Sequence, residues 1–101
     1  MAGELPLEFH PAALDELELA KAWYDGQRPG LGVSFFQEIT IAISRIQAAP
    51  NTWPEYKRGT RRFLVHRFPF SVIYSQGSTG LLVVAVMHLK RRPGYWRSRL
   101  R

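Results

Sequence analysis

The sequence predicts an α+β fold: a short N-terminal strand, then an antiparallel helical hairpin packed on one face of a mainly antiparallel β-sheet, in the order β-α-α-β-β-β. Three observations predict it. Residues 12–24 and 33–48 place apolar side chains at helical spacing. After residue 60 the pattern changes to alternation and then to a continuous apolar run, broken by Pro69 and by a Gln76-Gly77-Ser78-Thr79-Gly80 turn. The chain has 101 residues, 46% of them hydrophobic and 13% aromatic, which is enough for one modest core and implies a single domain over 1–101.

Residues 5–9 alternate, with Leu5, Leu7 and Phe9 on one face, and Pro6 restricts this strand to an edge. His10-Pro11 breaks the strand, and Pro11 suits the first turn of a helix. Over 12–24, Ala13, Leu17, Ala20 and Tyr24 form the apolar stripe, with Leu14 and Trp23 beside it. Asp25-Gly26 and Arg28-Pro29-Gly30 end that helix. Over 33–48, Phe36, Ile39, Ile43 and Ile46 make the stripe, widened by Phe35 and Ala42, and Pro50 stops it. The short loop between the helices favours an antiparallel pair. Residues 51–59 read as a loop in which Trp53 and Tyr56 anchor to the core. Residues 60–68 alternate as a strand, 70–75 form a second and 81–87 a third, the last apolar enough to be central.

Charge divides the chain. Residues 1–56 hold Lys21, Arg28 and Arg45 against eight acids, a net of −5; residues 57–101 hold eleven Lys and Arg and no acid, a net of +11; the two make up the overall +6. Cations so placed repel one another unless a partner or the acidic half offsets them, so an acidic or polyanionic partner is expected. There is no cysteine, which excludes disulfide and thiol chemistry and suits a reducing compartment. No apolar run reaches the ~18 residues of a membrane span, and the first ten residues lack signal-peptide features, so a cytoplasmic protein with no membrane partner is expected.

The last strand runs at His88 into a tail of cations and aromatics: Lys90, Arg91, Arg92, Tyr95, Trp96, Arg97, Arg99 and Arg101. Fixed positive charge beside aromatic faces suits a phosphate-bearing partner. With Arg61, Arg62 and Arg67 on the 60–68 strand, the residues Lys90, Arg91, Arg92, Tyr95 and Trp96 are the candidates for binding. Each also has a plainer use. His88 suits a hydrogen-bonded strand end, and Tyr95 and Trp96 suit pins that hold the tail to the sheet. Arg91 and Arg92 suit surface pairs with Glu16, Glu18 or Glu38.

The element order, the stretch Phe68-Pro69-Phe70-Ser71-Val72-Ile73-Tyr74 and the ending His88-x-x-Arg91-x-Pro93-x-Tyr95-Trp96 resemble the RelE/ParE superfamily, the toxins of type II toxin–antitoxin modules. The resemblance covers roughly residues 5–97. It implies a cognate antitoxin, encoded alongside, that binds the toxin in a hetero-oligomer, and no cofactor or metal. It also implies one of two targets. RelE-like members cut mRNA on the ribosome without a metal; ParE-like members poison DNA gyrase.

Metal-free cleavage through the 2′-hydroxyl needs a base, an acid and fixed cations. His88 is the candidate acid or base, Arg91 the phosphate clamp and Tyr95 a stacking platform or second acid. The resemblance places an arginine of the RelE-like enzymes, from a Tyr-Arg-x-x-Tyr pattern, at Ser71. That departure removes a phosphate-stabilising charge and favours a ParE-like toxin that acts by binding, ahead of a RelE-like endoribonuclease and of a non-toxic nucleic-acid-binding module.

Overall fold

The computed structural model describes residues 5–100; residues 1–4 and Arg101, the last cation of the tail, lie outside the described residues. The order is β1 (Leu7–Phe9), α1 (Pro11–Gln27), α2 (Leu31–Ala48), β2 (Arg61–Leu64), β3 (Phe70–Gln76) and β4 (Leu81–His88), with 3-10 turns at Lys57–Gly59 and Arg97–Arg99. The α+β class and the β-α-α-β-β-β order are those expected. The strands lie side by side as β1-β4-β3-β2. β2 and β3 pair antiparallel, as do β3 and β4, while β1 runs parallel to β4. The sheet is therefore mixed at one edge, because everything between β1 and β4 serves as the crossover that a parallel pair requires.

Pro11 opens α1, and His10 Nδ1 accepts a hydrogen bond from the Ala12 backbone N–H at 3.0 Å. The helix runs three residues past Tyr24, through Asp25-Gly26, and ends where Arg28 turns extended before Pro29. Asp25 has a task that keeps it helical: its Oδ1 accepts from the Gly32 N–H at 2.7 Å and so caps the start of α2. At Gly32 a Cβ would sit 2.5 Å from the Lys21 carbonyl oxygen, so the two helices close on each other at the one residue type that fits. The buried face of α2 is Phe35, Ile39, Ala42 and Ile46. The stripe expected from sequence began one residue late; Phe36 is 46% exposed.

The first core lies between the helices and the sheet. Tyr24, Phe35, Phe68 and Phe70 form its aromatic centre, with ring centroids 4.9–6.2 Å apart. Val72, Tyr74, Leu81, Val83 and Val86 supply the sheet side. Strand β2 stops at Leu64, short of the expected 60–68. Val65 still donates to the Phe70 carbonyl, but Arg67 then takes a left-handed φ of 74° and Pro69 has no N–H to give a ladder.

The opposite face of the sheet is covered as well. Ile73, Val84, Ala85, Met87 and Trp96 form a second core, flanked by Tyr56, Leu82, Tyr95 and Leu100. The chain after β4 folds back under the sheet. Trp96 is wholly buried there, so of the two uses expected from sequence it takes the pin that holds the tail to the sheet and is not an exposed binding residue. Ser71 is also wholly buried, its partners in the sheet being Leu64 and Met87. Between the pairs Ile73↔Ala85 and Tyr74↔Val83, β4 carries Val84 as an extra residue, a bulge that turns the Val84 carbonyl out of the ladder.

Candidate functional site

Beyond Phe9, β1 no longer covers β4, and the far half of β4 faces α1. Glu16 fills this open edge. Its Oε1 accepts from the Val86 N–H at 3.0 Å, a strand donor that β1 is too short to reach. Arg99 grips the same carboxylate with both ends of its guanidinium, Nη1 to Oε1 at 3.1 Å and Nη2 to Oε2 at 3.0 Å. Arg99 Nη1 also donates to the bulged Val84 carbonyl at 3.0 Å. The Tyr95 hydroxyl donates to Glu16 Oε2 at 2.7 Å. Both charged side chains are about 15% exposed, so this is a mostly buried, fully partnered pair. Glu16 therefore pairs with Arg99, not with Arg91 or Arg92.

Burial, with the Glu16 carboxylate next, pushes the Tyr95 hydroxyl far above its ordinary range. It stays a protonated donor. A tyrosine acting as an acid would need the opposite shift and a free hydroxyl, so the expectation that Tyr95 serves as a second acid is corrected. Its ring is not free to stack on a base either: the Arg91 guanidinium lies 3.8 Å from the ring centroid on one face, and Arg99 lies 5.2 Å from it.

Beside this cluster, α1 and the ends of β3 and β4 enclose a groove of about 610 Å³. Leu19, Ala20, Trp23 and Phe70 make it apolar, and His88 and Arg91 stand at its rim. Leu19 and Trp23 are 71% and 60% exposed, high for large apolar side chains on one helix face. His88 packs its ring edge-on against Phe70 at 5.1 Å, and its Nδ1 accepts from the Lys90 N–H at 3.0 Å. Neutral His88 thus carries its proton on Nε2. Of the three residues expected to be catalytic, His88 and Arg91 share the groove, while the Tyr95 hydroxyl is consumed inside the Glu16 cluster.

The other binding candidates are dispersed. Arg61 on β2 is tied down, donating to the Trp53 carbonyl at 2.7 Å and pairing with Glu55 at 3.6 Å. Arg62 lies over the Tyr56 ring at 4.9 Å, and Arg67 over Phe68 at 5.4 Å in the loop after β2. Lys90, Arg91 and Arg92 are exposed in the turn after β4. Among the described residues, Lys57, Arg58, Arg62, Arg67, Lys90, Arg91, Arg92 and Arg97 have no ion pair. Glu16, Leu19 and Trp23 were not singled out from sequence as site residues. The available signal was the surplus of large apolar side chains on α1 outside its core stripe.

A β-α-α-β-β-β domain with a covered mixed sheet, an apolar groove along its first helix and an unpaired cationic turn after its last strand has the fold of the RelE/ParE-type toxins. Residues 7–93 match the family model described as the ParE toxin of the type II toxin–antitoxin system parDE. The chain belongs to this ParE toxin family. A solved chain from the chromosomal ParDE TA system of P. aeruginosa has the same fold, with a TM-score of 0.75 at 16% sequence identity over 86% of this chain and 98% of that one. No curated protein matches the sequence. No helix among the described residues is long and apolar enough to cross a membrane.

Proposed function

We propose that this chain is a cytoplasmic toxin that arrests growth by binding DNA gyrase, and that an antitoxin encoded alongside silences it in a hetero-oligomeric complex. The observation that carries this reading is the groove beside α1. Its apolar lining and the Arg91 at its rim suit an amphipathic protein segment that brings bulky apolar side chains together with a carboxylate. The eight cations of the second half that have no ion pair among the described residues favour the same kind of partner by charge, and speed its approach. Binding chemistry is what these residues support. Tyr95 has no hydroxyl to lend to a reaction, and Ser71 stands in the core, where a phosphate-stabilising charge has no access.

The endoribonuclease reading rests on one observation, that His88 and Arg91 line a single groove. The other titratable side chains that line the groove among the described residues are Glu16, whose carboxylate is taken up by Val86, Tyr95 and Arg99, and Tyr24, whose hydroxyl burial holds in its protonated form. Induced expression should arrest growth and be rescued by a small acidic protein encoded next to this one. Primer extension on mRNA from the arrested cells should show intact transcripts. Toxin-dependent breaks in those transcripts would transfer the assignment to mRNA cleavage.

A further inference from the structure

We infer that Glu16, a residue of α1, is the positioning residue of the groove: through Tyr95 it fixes the bearing of Arg91, so that the groove meets its partner with a preset guanidinium. The inference rests on the reading that Arg91 contacts the partner. An exposed arginine at a strand end ordinarily samples many rotamers, and a partner must freeze it on binding. Here the guanidinium carbon lies over the Tyr95 ring, 3.8 Å from its centroid. The ring is itself tied down, its hydroxyl donating to Glu16 at 2.7 Å. Glu16 in turn is held by the Val86 N–H and by Nη1 and Nη2 of Arg99, which is anchored on the Val84 carbonyl. The line from backbone to Arg91 thus passes only through side chains whose hydrogen bonds are made.

Two features distinguish this arrangement from an ordinary surface pair. Arg99 neutralises Glu16, so the carboxylate that orients Arg91 does not cancel its charge. A ring face, unlike a carboxylate, holds a guanidinium without using its N–H donors. The fork therefore remains open to a carboxylate on the partner, in the bidentate geometry arginine favours. A phenol that donates to an anion also has a more electron-rich ring, which strengthens its hold on the cation above it. The backbone agrees: the Arg91 N–H donates to the His88 carbonyl at 2.9 Å, and Tyr95 N–H to the Arg92 carbonyl at 3.2 Å, so the intervening turn is closed.

The test is a double-mutant cycle read in two ways. The first readout is the ¹⁵N relaxation of the Arg91 Nε–H in the full chain; the second is the concentration of toxin that halves supercoiling by purified DNA gyrase. Glu16→Gln retains a side chain of the same shape, and Tyr95→Phe retains the ring; urea unfolding confirms that each variant is folded at the assay temperature. Both variants should free Arg91 on the picosecond–nanosecond scale and weaken inhibition about two- to tenfold, the range expected for ordering one long side chain. In an Arg91→Ala background, adding either change should have no further effect. Arg91 remaining as ordered in the variants as in the wild type would overturn the inference, and so would full additivity with Arg91→Ala. If the wild-type protein leaves gyrase untouched, the proposed target fails and the relaxation data alone decide the role of Glu16. If gyrase is inhibited but Arg91→Ala inhibits as well as wild type, Arg91 is not at the contact and the inference fails with it.

Discussion

Replacing Trp96 separates its structural role from a role in recognition. The side chain is wholly buried against Ile73, Val84, Ala85 and Met87, with the Tyr56 ring 6.2 Å away. Trp96→Ala deletes the centre of the second core, and losses of this kind cost ~3–5 kcal/mol. A domain of this size loses about 4–8 °C in Tm per kcal/mol, so a fall of about 12–40 °C is expected. Trp96→Phe should behave differently. The indole Nε1 finds no protein acceptor among the described residues, so phenylalanine keeps most of the packing and gives up no protein hydrogen bond. Its cost should be well below that of Trp96→Ala, because the cavity it leaves is smaller. Equilibrium urea unfolding of the two variants measures both values. Trp23→Ala, at a residue 60% exposed, serves as the comparison and should cost less than about 1 kcal/mol. If Trp96→Ala were no more destabilising than Trp23→Ala, the tail would not be part of the folded core, and the assignment of Trp96 to it would be wrong.

Ser71→Arg, which restores the arginine of the RelE-like pattern, should not create a nuclease. It places an unpaired cation at a wholly buried position facing the second core, and the expected result is loss of several kcal/mol of stability in urea unfolding, with no gain of mRNA breaks. Alkaline stability should depend on Tyr95. Its folded-state pKa lies above the ordinary value of ~10, so the unfolded chain ionises first; the stabilisation is complete below about pH 10 and is lost as pH rises toward the folded-state value. Urea midpoints measured from pH 8 to 11.5 should fall less steeply for Tyr95→Phe than for wild type, with a residual slope from Tyr24 and Tyr74, whose hydroxyls burial also raises.

Local chemistry made most of the fold legible in the sequence. Pro11 and Pro50 bound the helical hairpin, and the apolar run at 81–87 marked the central strand, because these signals act over a few residues. The misreadings arose where distant groups decide. Helix α1 outlasts its Asp25-Gly26 stop because Asp25 caps a helix seven residues away. The stripe of α2 is set by Phe35 because that residue, and not Phe36, meets Phe68 and Phe70. At the site, Arg91 and His88 could be read from the sequence because they follow an apolar strand. Glu16 could not, because its partners Val86, Tyr95 and Arg99 lie 70 or more positions along the chain. For the same reason Tyr95 and Trp96 stayed open between pins of the tail and residues of the site. Only the folding of the tail beneath the sheet shows that one is pinned and the other buried.

The most direct test of the account is inhibition of DNA gyrase supercoiling by the purified protein and by its Arg91→Ala variant. The account predicts inhibition by the wild-type chain and a loss of about tenfold or more in potency for Arg91→Ala, the scale of an arginine at the centre of an interface, with the fold intact. Gyrase left fully active at a large excess of wild-type toxin, in a preparation that arrests growth when induced, would contradict it.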